Sequence, residues 1–177
     1  MKYFSILLVL VSAAFLFGCT SLPGNSGVEF NTYENQQDKV AFDKPVAWVQ
    51  QPDANMIARF GDLQSASFAV GIVPNLKAAD FDSFTATTYA DFQQNAAFFN
   101  LAQRNVTLGG SSAVIITSDQ RNVDAVSNQE IISVADLFIV KDVQNDRLLL
   151  VSFVTRRDSL SSTGEIKQRV LNSFKII

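Results

Sequence analysis

Hydrophobic and polar positions divide the chain into one uninterrupted apolar run, several stretches of alternation and two stretches of helical period. The run is Phe4–Phe17, fourteen residues without a charge. Alternation comes next. Val40-Ala41-Phe42-Asp43 predicts a short strand stopped by Lys44-Pro45, and Val46–Val49 a second extended piece. Met56, Ala58 and Phe60 oppose Ile57 and Arg59, and Phe68, Val70 and Ile72 oppose Ser67, Ala69 and Gly71, as half-buried strands do. The spacing then changes. Phe81, Thr85, Tyr89, Phe92, Ala96 and Phe99 recur every three or four residues, which predicts a helix from Phe81 to Asn100 with Asp80 as its N-cap.

Beyond that helix, Arg104–Leu108 and Ala113–Ser118 predict a hairpin turning at Gly109-Gly110. A polar loop, Val123–Asn128, leads to two long apolar strands, Glu130–Val140 and Arg147–Thr155, joined by the turn residues 142–146. Both alternating faces of Leu148–Phe153 are apolar, the mark of a central strand covered on both sides. Ser162 and Glu165 have capping-box spacing before a second helix that turns Ile166, Val170 and Phe174 inward, and Lys175–Ile177 ends the chain as an edge segment. Strands, helix, hairpins and helix in this order predict an α+β fold: an antiparallel β-sheet sandwiched by helices (α/β/α).

The opening run is too short for the roughly 20 residues that span a bilayer, and it has the length of a signal-peptide core. Lys2 supplies the positive start, and Leu16-Phe17-Gly18-Cys19 closes the run. The stretch resembles a bacterial lipoprotein signal, with Leu16 at −3, small Gly18 at −1 and Cys19 as acceptor. It implies cleavage between Gly18 and Cys19 and a thioether-linked diacylglycerol on the thiol, with further acyl chains such as palmitate completing a stable anchor. Residues 1–18 are then the signal peptide, 19–29 the lipidated cysteine and a flexible tether of turn formers, and 30–177 a single α/β domain. Thr20 follows the cysteine. By resemblance to Gram-negative lipoproteins, a residue other than Asp there places the protein on the periplasmic face of the outer membrane if the host is Gram-negative.

Composition narrows the chemistry. Of 177 residues 47% are hydrophobic, with fifteen Phe, ample for one packed core. Charged residues are 18% and the net charge is −3, without the basic face that nucleic-acid binding needs. The chain has no His, so the commonest general base and metal ligand is missing, and its one Cys leaves no intramolecular disulfide. No catalytic residue, cofactor or metal is assigned. Gly109-Gly110-Ser111-Ser112 precedes a β-type run rather than a helix and reads as a turn, not a phosphate loop. Asp80 and Asp82 favour a helix start over a Ca²⁺ site. Asp119 with Arg121, and Arg156-Arg157-Asp158, read as solvated strand ends. Arg156 and Arg157 with Lys167 and Arg169 could form a small basic patch suited to an anionic lipid or partner.

Several local features resemble the PsbP-like (Mog/PsbP) family: the extended Val40–Trp48 segment with Pro45, the acidic-aromatic lead Asp80-Phe81-Asp82-Ser83-Phe84, and Leu108-Gly109-Gly110-Ser111-Ser112-Ala113. A closing helix running into Ser173-Phe174-Lys175-Ile176 completes the pattern. The resemblance covers roughly residues 30–177. It implies the family's α/β/α fold, a protein partner and no shared catalytic site. Metal sites of plant members use His, so none carries over. Together these readings predict a lipid-anchored cell-envelope protein acting as a non-catalytic binding or assembly module. The alternative is an envelope enzyme or small-ligand-binding lipoprotein using a carboxylate/Arg pocket.

Overall fold

Period-two alternation needs neighbouring strands to keep register, and the computed structural model shows that register across a wide sheet. It describes residues 27–62, 64–123 and 129–177. The signal stretch, Leu16, Gly18, Cys19, most of the tether and residues 124–128 of the polar loop lie outside the described residues. In chain order the strands before the first helix are β1 (Phe30–Asn35), β2 (Val40–Pro45), β3 (Val49–Gln50), β4 (Ala58–Gly61) and β5 (Ala66–Ile72). A 3-10 turn, Ala78–Asp80, leads into helix α1 (Phe81–Gln94). Then come β6 (Phe98–Leu108), β7 (Ser111–Val123), β8 (Glu130–Asp142) and β9 (Arg147–Arg156). A second 3-10 turn, Arg157–Ser159, opens helix α2 (Leu160–Ser173), and β10 (Lys175–Ile176) closes the order.

Seven antiparallel strands form the main sheet in the order β3-β4-β5-β9-β8-β7-β6, and β1-β2-β10 form a second, three-stranded sheet. On one face of the main sheet Ala58, Val70, Val151, Phe138 and Ile115 stand in register across five strands. They pack with Val170 and Phe174 of the α2 end and with Val40 and Phe42 of the small sheet. On the other face Val114, Ile116, Leu137, Ile139, Leu148 and Leu150 pack against Phe81, Phe84 and Phe92 of α1. The two-sided apolar pattern of β9 therefore has a helix over each face, the expected α/β/α arrangement, to which the small sheet adds cover on the α2 side.

Local departures from the expected boundaries have physical causes. Helix α1 stops at Gln94, not Asn100, so Ala96 and Phe99 leave the helical stripe. Asn95 adopts extended geometry, and its side-chain Oδ1 accepts the Ala97 N–H at 3.0 Å, an alternative partner that competes with helix continuation. Asp80 occupies the N-cap position but makes no side-chain cap; its carboxylate accepts the Lys77 N–H at 2.8 Å. The Ser162–Glu165 capping box does not form, because the helix starts earlier, at Leu160, and Ser162 lies inside its first turn, donating to the Ser159 carbonyl. Within Val46–Val49 only Val49 is strand, and Trp48 instead buries against the core. Gly109 and Gly110 form the β6–β7 turn with φ of +59° and +81°, a region glycine enters without steric cost.

Candidate binding surface

Helix α2 and the turn before it lie over a sheet face that is not purely apolar. Strand register places Thr117 opposite Asp136, with Asp119 two residues further along β7 on the same face. Both carboxylates are buried, Asp136 at 3% and Asp119 at 6% exposure. Buried charge must be paired to be tolerated. Asp136 accepts the Thr117 hydroxyl at 2.7 Å and is paired with Lys167 of α2. Asp119 accepts Asn100 Nδ2 at 2.6 Å and is paired with Arg157. Burial pushes the Asp119 carboxyl up, but hydrogen bonds from Arg157 and Asn100 outweigh it and hold the group below the ordinary carboxylate range.

These pairings change the meaning of the residues singled out in the sequence. Arg156 binds Asp158 at 2.8 Å, and Arg169 approaches Asp43 at 3.4 Å while its guanidinium lies 4.5 Å over the Phe30 ring. All four cations expected to form a basic patch therefore have an acidic partner: Arg156, Arg157, Lys167 and Arg169. The surface is a neutral mosaic, and two of its cations rivet α2 and its lead-in turn to the sheet. Asp119 does not pair with Arg121, which instead faces Glu130 at 3.9 Å and the Phe99 ring at 4.9 Å. Outside this cluster, the α2 residues Glu165, Gln168, Arg169, Asn172 and Ser173 line an open groove of about 460 Å³. Ser173 anchors its floor, its Oγ accepting the Asp43 N–H at 2.8 Å.

Asp80 and Asp82 sit at the start of α1, and among the described residues no group of three or more His, Cys, Asp or Glu gathers as a metal site would require. Gly109-Gly110 belongs to a β-hairpin and presents no helix start.

Sequence reasoning passed over Arg59, taken as the outer residue of an alternating strand. All four residues of β4 are buried, and the Arg59 side chain is 4% exposed. Its Nη1 stands 3.6 Å from Asp53, while Nε and Nη2 are buried without a hydrogen-bond partner. Burial lowers the Arg59 pKa, and neighbouring Asp53 only partly offsets that. The one signal in the sequence was an arginine set between Ala58 and Phe60 in an otherwise apolar strand.

Comparison with family models finds no match, and neither does comparison with curated protein sequences. Solved structures do match. The chain superposes on CyanoP, the cyanobacterial PsbP of Synechocystis sp. PCC 6803, with a TM-score of 0.53 and 18% identity, covering 89% of this chain and 98% of that one. LpqN, involved in cell envelope biogenesis of Mycobacterium tuberculosis, gives a TM-score of 0.56 at 9% identity, over 85% and 91% of the two chains. The Ran-binding protein Mog1p of Saccharomyces cerevisiae gives 0.50 at 9% identity, over 85% and 96%. At such identities the likeness is one of fold, and the chain has the PsbP/Mog-like fold.

Proposed function

We propose that this chain is a lipid-anchored, non-catalytic binding or assembly module of the cell envelope, with a protein partner. The observation that carries the reading is the close of the N-terminal apolar run at Leu16-Phe17-Gly18-Cys19, where the only thiol of the chain follows a small residue. Cys19 carries the acyl chains, residues 19–29 form the tether, and the domain from residue 30 onward presents the contact surface. On a Gram-negative host, Thr20 directs the protein to the periplasmic face of the outer membrane.

The fold supports this reading. Among the proteins that share it, one is named for binding Ran and another for a part in envelope biogenesis. The buried carboxylates beneath α2 are tied to cations of the same chain, as suits a rigid platform, while the groove along Gln168 and Asn172 stays open to a partner.

Metabolic labelling with a fatty acid tests the anchor. Label enters the wild type and is lost in Cys19→Ser; equal label in both overturns the anchor. A photo-crosslinking residue at Gln168 tests the module. Capture of one protein in intact cells supports the reading, and no capture across several growth states refutes it.

A further inference from the structure

Arg59 stands on β4 between Ala58 and Phe60, which belong to the core on the α2 side, so its side chain faces the α1 side of the sheet. There it is in register with Ala69 and, through it, Ser152. Among the described residues it has one ion-pair partner, Asp53, which is 3.6 Å from Nη1, longer than a hydrogen bond, and Asp53 also accepts the Asn55 N–H at 3.0 Å. The Nε and Nη2 atoms lie on the opposite edge of the guanidinium from Nη1, and their N–H bonds run parallel. That edge is empty. A third buried donor, Gln51 Nε2, also lacks a partner, and Gln51 is tied to the same strand by its N–H donating to the Arg59 carbonyl at 2.9 Å. Arg59, Gln51 and Asp53 all line one cleft of about 420 Å³, within the size range of small-ligand sites.

Donors left unpaired away from water cost free energy, and a charged donor costs the most. The free groups here are all donors, so the occupant that relieves them supplies acceptors. Parallel Nε–H and Nη2–H bonds match the two oxygens of a planar carboxylate. Asp53 beside the guanidinium favours a single negative charge over a phosphate dianion.

We propose that the cleft between residues 50–54 and β4 is a carboxylate-binding site, in which Arg59 Nε and Nη2 hold the two oxygens and Gln51 Nε2 adds a third bond. Residues Pro52–Met56 cross the cleft without strand pairing, held by turn bonds to Asp53, and they shift to admit the ligand. The site goes beyond the anchored-module reading and operates whether or not Cys19 is acylated. The carboxylate is that of a free small acid or of a chain terminus.

The experiment follows the Arg Nε–H resonances of the ¹⁵N-arginine-labelled full protein in detergent. The additions are acetate, a tripeptide with a free C-terminus, its amidated form, inorganic phosphate and chloride. A saturable shift of the Arg59 signal with acetate and with the free-terminus peptide, but not with the amide or chloride, supports the site. Tighter binding of acetate then identifies a free acid, and tighter binding of the peptide a chain terminus. Gln51→Leu weakens binding by about 5-fold, the effect of one hydrogen bond. Arg59→Lys keeps the charge and loses the fork; it also removes the reporting resonance, so acetate binding to this variant and to the wild type is read by isothermal titration calorimetry, and the saturable heat of the wild type is lost in the variant. Absence of a saturable shift in the wild type, or phosphate binding more tightly than either carboxylate, overturns the proposal, and neither outcome depends on the variants folding.

Discussion

The ring of Phe174 closes over Gly109: a Cβ placed on that glycine would sit 3.0 Å from Phe174 Cδ1 and 3.2 Å from Cε1. The contact joins the β6–β7 turn to the end of α2, where Phe174 is 2% exposed. Two penalties therefore fall on Gly109→Ala, a left-handed φ of +59° and a collision with a buried ring that has little room to move. Gly110 has φ of +81° but open space where its Cβ would be. Urea unfolding should show Gly109→Ala destabilised by about 2–4 kcal/mol and Gly110→Ala by about 1 kcal/mol. Equal losses would mean the ring contact contributes nothing.

The Asp119 carboxyl titrates below the ordinary range because bonds from Arg157 and Asn100 outweigh its burial. A depressed folded-state pKa contributes stability that is present above the unfolded value of about 3.9 and lost as pH falls through the folded value below it. Asp119→Asn removes that contribution. At neutral pH the variant should be less stable by about 1–3 kcal/mol, with the gap closing as the pH drops below about 4. Denaturant midpoints measured across that range check the sign, and a gap that widens in acid would contradict it.

Lys167 and Arg169 lie two residues apart on α2 yet differ in what their removal exposes. The partner of Lys167 is the buried Asp136, whereas Arg169 meets the partly exposed Asp43 across 3.4 Å. Lys167→Ala leaves a buried carboxylate with the Thr117 hydroxyl as its remaining bond and should cost about 1–3 kcal/mol. Arg169→Ala should cost less than about 1 kcal/mol, as exposed pairs do. The double change Lys167→Ala/Asp136→Asn should recover part of the first loss, since the buried charge is gone. Thermal melts of the three variants decide this, and no recovery in the double variant argues against the pairing.

Strand positions were legible because the two-residue period of Ser67–Val73 and the two-sided apolar run Leu148–Phe153 each report which faces are covered. The inward residues Val170 and Phe174 were legible from helical spacing for the same reason. What the chain does not announce is competition between side chains. Arg157 and Lys167 read as a basic patch in one dimension, and only the β7–β8 register brings Asp119 and Asp136 beneath them. The buried state of Arg59 was likewise hidden, since alternation alone assigns it to an outer face and cannot know that α1 and the 50–54 segment lie on that side.

The end of α1 shows the same effect at a boundary and yields the last prediction. Phe92, on the helix, stacks on Phe98, the first residue of β6, with ring centroids 4.3 Å apart and planes 5° from parallel. Phe99 continues the helical stripe in sequence, but here Phe92 finds its stacking partner in Phe98, reached by leaving the helix rather than extending it. Two features enforce the exit: the Asn95 side chain accepting the Ala97 N–H, and burial of Phe98 at 7% exposure between α1 and the sheet. Phe98→Ala should cost about 3–5 kcal/mol, the usual loss for a buried ring. Asn95→Ala removes only one local bond and should cost about 1 kcal/mol, while raising helix content because alanine no longer offers the backbone a competing acceptor. Circular dichroism at 222 nm measures that gain directly. If helicity falls or stays level in Asn95→Ala, the helix end is set by the Phe92–Phe98 stack alone.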